Sequence, residues 1–162
     1  MKKKYVSTKY RKVKLGTVSH GTMKNEDLIP SFIDELKRID IKREFKEVIK
    51  EGNKIIRKCS KDENLWNSED NTIFLNEDLW NALDSFSPSC CYFGSTEGDG
   101  SDYGFWVCQD VESIFDGLKV SDLNEIPKDY EGEILFVNDH GNATLYNKFR
   151  TSQKLHEIWS IV

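Results

Sequence analysis

Residues 90–108 read Cys-Cys-Tyr-Phe-Gly-Ser-Thr-Glu-Gly-Asp-Gly-Ser-Asp-Tyr-Gly-Phe-Trp-Val-Cys. Two apolar runs, Cys90 to Gly94 and Gly104 to Cys108, flank a Gly/Asp/Ser tract, the pattern of a β-hairpin with a long tip. A second hairpin follows from Ile134 to Val137 and Ala143 to Tyr146 around Asn138-Asp139-His140-Gly141-Asn142, where the glycine supplies the positive φ of a tight turn. A short strand is also expected from Lys12, because Val13, Leu15 and Thr17 alternate with Lys12, Lys14 and Gly16.

The stretch before the first hairpin is helical in pattern. Asn25 is placed to cap a helix in which Leu28, Ile29, Phe32, Ile33 and Leu36 recur at helical spacing, with the regular part beginning near Pro30. A second helix is expected over 41–58, with Ile41, Phe45, Val48, Ile49, Ile55 and Ile56 on one stripe. A third opens at Asn76-Glu77-Asp78, buries Leu79, Trp80, Leu83 and Phe86, and ends at Ser87-Pro88-Ser89. Asp110 starts a short helix through Leu118, and 154–162 reads as a closing helix that buries Leu155, Ile158 and Trp159. The sum is an α+β fold, an antiparallel sheet of about four or five strands packed against three or more helices. Residues 1–14, with seven Lys/Arg and no acid, form a basic N-terminal arm, and 15–162 a single domain.

Composition fits that reading. The chain has 162 residues, 38% of them hydrophobic and 12% aromatic, enough to fill a core and too aromatic for a disordered chain. No apolar run approaches the roughly 20 residues of a membrane-spanning helix. Met1-Lys-Lys-Lys lacks the apolar segment of a signal peptide, which predicts a cytoplasmic protein. The net charge of −5 hides an asymmetry: residues 1–60 carry 17 Lys/Arg against 8 Asp/Glu, and residues 61–162 carry 6 against 20. One end is suited to a polyanion and the other to a cationic surface, unless the halves fold together and neutralise each other.

Four features carry candidate chemistry. Cys59, Cys90, Cys91 and Cys108 lack the paired spacing of a zinc site and read as thiols used in packing, with Cys90 and Cys108 facing each other if the hairpin is symmetric. The tract Glu97 to Asp102 begins like a calcium loop, but Asp102 stands where glycine belongs and Cys108 where the bidentate Glu belongs. Neither a metal nor a cofactor is expected. His20 and His140 each stand beside a glycine in a turn, and together they would form a general acid–base pair for RNA cleavage. Lys42, Lys46, Lys50, Lys54 and Lys58 recur every fourth residue, a ladder able to follow a phosphate backbone, although Glu44, Glu47 and Glu51 share the helix and make an ordinary solvated face the competing reading.

Three stretches, VSHGTMKNEDLIP (Val18–Pro30), YFGSTEGDGSDYGFW (Tyr92–Trp106) and EGEILFVNDHGNATLY (Glu131–Tyr146), resemble a group of uncharacterised small proteins of phages and prophages. The resemblance implies a phage-accessory origin in a bacterial host cell. Small acidic phage proteins include inhibitors of host defence, among them anti-CRISPR proteins that block a nuclease's nucleic-acid channel. The expectation is therefore a binding protein that imitates nucleic acid toward a host defence protein such as a CRISPR effector. Its contacts would be Glu97, Asp99, Asp102, Tyr103, Trp106 and Asp139. The alternatives are a phosphodiester-processing enzyme that uses His20 and His140 or the Asp99/Asp102 loop, and a nucleic-acid-binding accessory protein that uses the arm and the lysine ladder.

Overall fold

A computed structural model describes residues 13–150 and 154–161, and within them the chain is α+β, as its pattern predicts. The stretch expected to form one domain divides into two compact units. Among the described residues, 13–87 and 91–107 make the first unit, and 88–90 with 108–161 make the second. Residues 1–12 of the expected basic arm lie outside the described residues.

In the first unit, helix α1 (Asn25–Ile39) buries Leu28, Ile29, Phe32, Ile33, Leu36 and Ile39, one continuous apolar face. Its start differs from expectation. Lys24 occupies the cap position, and the Asn25 amide donates to the Trp66 carbonyl at 3.0 Å and to Thr72 Oγ1 at 3.1 Å. Pro30 lies inside the helix, where its missing N–H forgoes one backbone bond.

Helix α2 (Lys46–Cys59) begins later than its apolar stripe suggests. Buried Asp40 accepts hydrogen bonds from the backbone N–H groups of Glu44 (2.9 Å) and Phe45 (2.8 Å). Arg43 adopts φ 56°, so the chain turns tightly before the helix and leaves Ile41 56% exposed instead of in the core. Gly52 lets α1 and α2 approach, since a Cβ there would collide with the Ile33 side chain.

A third helical stretch starts well before the expected Asn76. It runs as α3 (Glu69–Ile73), a π-helical segment (Phe74–Leu79) and α4 (Trp80–Asp84). The Ser68 hydroxyl accepts from Asn71 N–H at 3.4 Å at its start. The π geometry sits where Phe74, Leu75 and Leu79 all turn inward.

Strands β1 (Gly16–Ser19), β2 (Cys91–Thr96) and β3 (Asp99–Val107) form an antiparallel sheet in the order β1-β3-β2. The expected long hairpin tip shrinks to Glu97-Gly98, because Asp99 to Asp102 are drawn into β3. Ser95 pairs with Tyr103, but Thr96 pairs with Asp99, so residues 100–102 bulge out of the β2 register. On the other side of β3, Gly21 N–H donates to the Ser101 carbonyl at 3.1 Å. Phe93, Tyr103 and Phe105 turn inward; Phe93 and Tyr103 meet Phe32 and Trp80 edge-on, and Phe105 lies against Phe93 at a tilt.

The second unit has its own sheet. Helix α5 (Val111–Ile114) ends before Leu118, which instead begins strand β4 (Leu118–Val120). With β5 (Gly132–Val137), β6 (Ala143–Lys148) and β7 (Leu155–Ile161) it forms a mixed sheet in the order β4-β5-β6-β7, with β4 parallel to β5. The two expected hairpins therefore belong to two sheets, not one. The closing segment is a strand and not a helix: β7 completes the ladder of β6, and Trp159 is buried with its indole N–H donating to the Ser89 carbonyl at 2.9 Å. Leu135, Leu145 and Trp159 stand in register on one face of this sheet and are buried, and Ile134, equally buried, points to the other face. Buried Lys148 directs its ammonium to the carbonyls of Pro127 and Lys128, each at 2.8 Å, and ties the irregular 121–131 segment to the sheet. Among the described residues, no helix is long and apolar enough to cross a membrane.

Candidate functional site

The bulge in β3 brings two separately expected candidates together. Residues 100–102 leave the β2 register, β1 ends beside them at Ser19, and His20 follows in the turn. His20 Nε2 lies 3.3 Å from Asp99 Oδ2, with the two side chains 62% and 45% exposed. The other carboxylate oxygen of Asp99 accepts from Ser101 N–H at 2.8 Å and from Ser101 Oγ at 2.7 Å. An Asp two residues before a Ser is the local signal for such a turn, in which the side chain satisfies backbone groups that the bulge frees.

The backbone N–H of Ser101 holds the Asp99 carboxyl below the usual carboxylate range, helped by the Ser101 hydroxyl and by His20, and opposed by partial desolvation. A carboxyl with a lowered folded pKa contributes order that is present above its ordinary pKa. That contribution is lost as pH falls through the folded value. In an NMR titration, the Ser101 amide resonance should therefore hold its position through the ordinary Asp range and shift only at lower pH. A midpoint at the ordinary Asp value would contradict this geometry.

The expected contact residues separate into three environments. Glu97 is exposed at the hairpin tip, and Asp99 is partly exposed beside it. Asp102 and Trp106 are half-buried; Oδ1 of Asp102 is shielded from solvent without a hydrogen-bond partner among the described residues, and the Trp106 indole N–H donates to the Gly94 carbonyl at 2.9 Å. Tyr103 is not a surface contact. It is 8% exposed, with its ring 5.8 Å from Phe32 and 6.0 Å from Trp80, because β3 points that residue into the core. Asp139 is exposed in the β5–β6 turn and belongs to the second unit.

His140 is in that same turn, where its backbone N–H donates to Asn138 Oδ1 at 2.9 Å, and the two histidines of the expected acid–base pair belong to different units. The partner that His20 does have is a carboxylate. Such a partner orients an imidazole.

Lys46, Lys50, Lys54 and Lys58 stand exposed along α2, and Lys42 lies in the turn before it. Lys50 pairs with Glu47 at 3.6 Å and Lys54 with Glu51 at 3.1 Å. Cys59 is a buried thiol whose sulfur accepts from the Asn71 amide at 3.4 Å, and burial pushes it up from the ordinary thiol range. Cys90 and Cys108 are joined through the backbone, with Cys108 N–H donating to the Cys90 carbonyl at 2.8 Å. No protein-family model, curated protein or solved structure matches this chain.

Proposed function

We propose that the protein is a phage or prophage accessory protein that binds a nucleic-acid-binding protein of a host defence complex, such as a CRISPR effector, in the host cytoplasm. The observation that supports this reading most is the acidic end of the β2–β3 hairpin. Glu97 and Asp99 are presented there on a strand pair whose base is packed into an aromatic core, and Asp99 is held ionised by Ser101. Charge fixed in advance costs little to order on binding, and it steers encounter with a basic surface. The second unit adds Asp110, Glu112, Asp116, Asp122 and Glu125, all exposed, along one stretch of chain.

The test is the dissociation constant for a partner recovered from host lysate in a pull-down that survives nuclease treatment. Glu97→Gln combined with Asp99→Asn removes two charges and keeps an acceptor at Asp99 for the Ser101 turn. Affinity should fall about tenfold, with a weaker salt dependence, as expected for reduced charge complementarity. Equal affinity and equal salt slope would remove the hairpin end from the interface.

A second reading, phosphodiester processing with His20 as the base, draws on the His20–Asp99 pair. Cleavage of labelled RNA by the wild type, reduced about 100-fold in His20→Ala, would favour it, since that is the usual scale for losing a general base.

A further inference from the structure

We infer that the outward face of α2 is a docking strip for the phosphate backbone of single-stranded nucleic acid. This inference is independent of the hairpin reading, because it needs no protein partner. Helix α2 spends its apolar side on its own unit: Gly52, Ile55 and Cys59 are buried, and Val48, Ile49 and Ile56 pack against the same core. What remains outward is basic. From Lys42 to Lys61 the chain carries eight Lys/Arg against three Glu, a local charge of +5 in a protein whose net charge is −5.

The four helix lysines are spaced about 6 Å apart along the axis, and each step turns about 40° round it. They form a gently winding row of point charges and not a single cluster. Lys46 and Lys58, at the two ends, make no ion pair within 4 Å among the described residues, while Lys50 and Lys54 are each held by a glutamate one turn away.

The chemistry of the face selects among polyanions. An anionic membrane surface would be met by a helix with an apolar side free to insert, and the apolar side of α2 is already buried. Lysine ammonium groups bind phosphate as point charges and read no base edges, and the guanidinium of Arg57 on the same helix donates its Nε–H to the Asn53 carbonyl. The expected binding is therefore independent of sequence and strongly dependent on salt.

Fluorescence anisotropy of the full chain with labelled single-stranded 20-mers of RNA and DNA, across a salt series, tests the inference. Lys46→Gln, Lys50→Gln, Lys54→Gln and Lys58→Gln together should weaken binding at least tenfold. The slope of log affinity against log salt should fall by about 3, near 0.7 for each phosphate that is no longer neutralised. The substitutions are on the surface and keep helix propensity, so circular dichroism should be unchanged.

Glu47→Gln with Glu51→Gln frees Lys50 and Lys54 and should tighten binding several-fold, a gain that an ordinary solvated face would not give. Substituting the lysines at 2, 3, 4 and 9 in a separate variant distinguishes the N-terminal arm as the source of affinity. No binding by the wild type overturns the inference. So does an unchanged affinity and slope in the α2 variant, or binding to phosphatidylserine vesicles without binding to the oligonucleotides.

Discussion

Gly104→Ala should destabilise the first unit by about 3 kcal/mol and lower its melting temperature by about 15 °C. Gly104 lies at the middle of the central strand, paired with Thr17 on one side and Gly94 on the other. A Cβ at this position would overlap the Gly16 carbonyl and stand 2.8 Å from its carbon and 3.0 Å from Thr17 Cα. Those neighbours are backbone and cannot rotate away, so β1 would have to move off the sheet. Gly16 itself has φ 113°, a conformation that favours glycine.

Gly100 supplies the control, because a Cβ there meets nothing within 4 Å and its backbone is not left-handed. Gly100→Ala should change stability by no more than about 0.5 kcal/mol. Thermal or urea denaturation of the two variants measures the contrast, and equal stability would mean that β1 does not lie so close to β3. The consequence reaches the candidate site as well. His20 follows β1 directly, so a displaced β1 takes the imidazole from Asp99.

Much of the fold was legible because one element's own residues decide it. Leu28, Ile29, Phe32, Ile33 and Leu36 repeat at helical spacing, and all are buried on α1. The second hairpin was legible for the same local reason, as Asn138 accepts from both His140 N–H and Asn142 N–H and closes the turn itself. The misreadings occur where a distant partner decides. Leu155, Ile158 and Trp159 are spaced for a helix over a segment too short to distinguish periods, and β6 selects the strand. The start of α2 depends on where Asp40 places its carboxylate, which spacing of apolar residues does not encode.

The site was legible in parts and not as a whole. His20 and Asp99 were each recognisable as chemistry-bearing residues. Their meeting depends on a three-residue bulge, and a register slip is a property of two paired strands and not of either sequence. Tyr103 differs for a simpler reason. A tyrosine beside a polar tract looks exposed, yet Tyr103 lies two residues from Phe105 in unbroken register and shares its inward face.

Phe32→Ala should cost about 3–5 kcal/mol, the range for deleting a fully buried phenylalanine. Phe32 is 0% exposed, and its ring meets Phe93 at 5.0 Å, Tyr103 at 5.8 Å and Trp80 at 6.4 Å, all near edge-on. Phe93 and Tyr103 belong to the two strands of the hairpin, and Trp80 begins α4, so one ring of α1 is held by three elements. Edge-on pairs add about 0.5–1.5 kcal/mol each beyond buried area, which places the loss toward the upper part of that range. Phe32→Leu fills most of the volume and lacks the ring edges, so it should cost about 1.5 kcal/mol, near the limit for volume-conserving exchanges.

The two variants separate support of the core from presentation of charge. Neither touches Glu97 or Asp99, yet both loosen the base of the strands that carry them. Hydrogen exchange at Ser101 should accelerate in Phe32→Ala by a larger factor than at Leu145, whose sheet belongs to the other unit. Equal acceleration at both positions would mean that the two units unfold as one, and that the aromatic cluster supports the whole chain and not the hairpin alone.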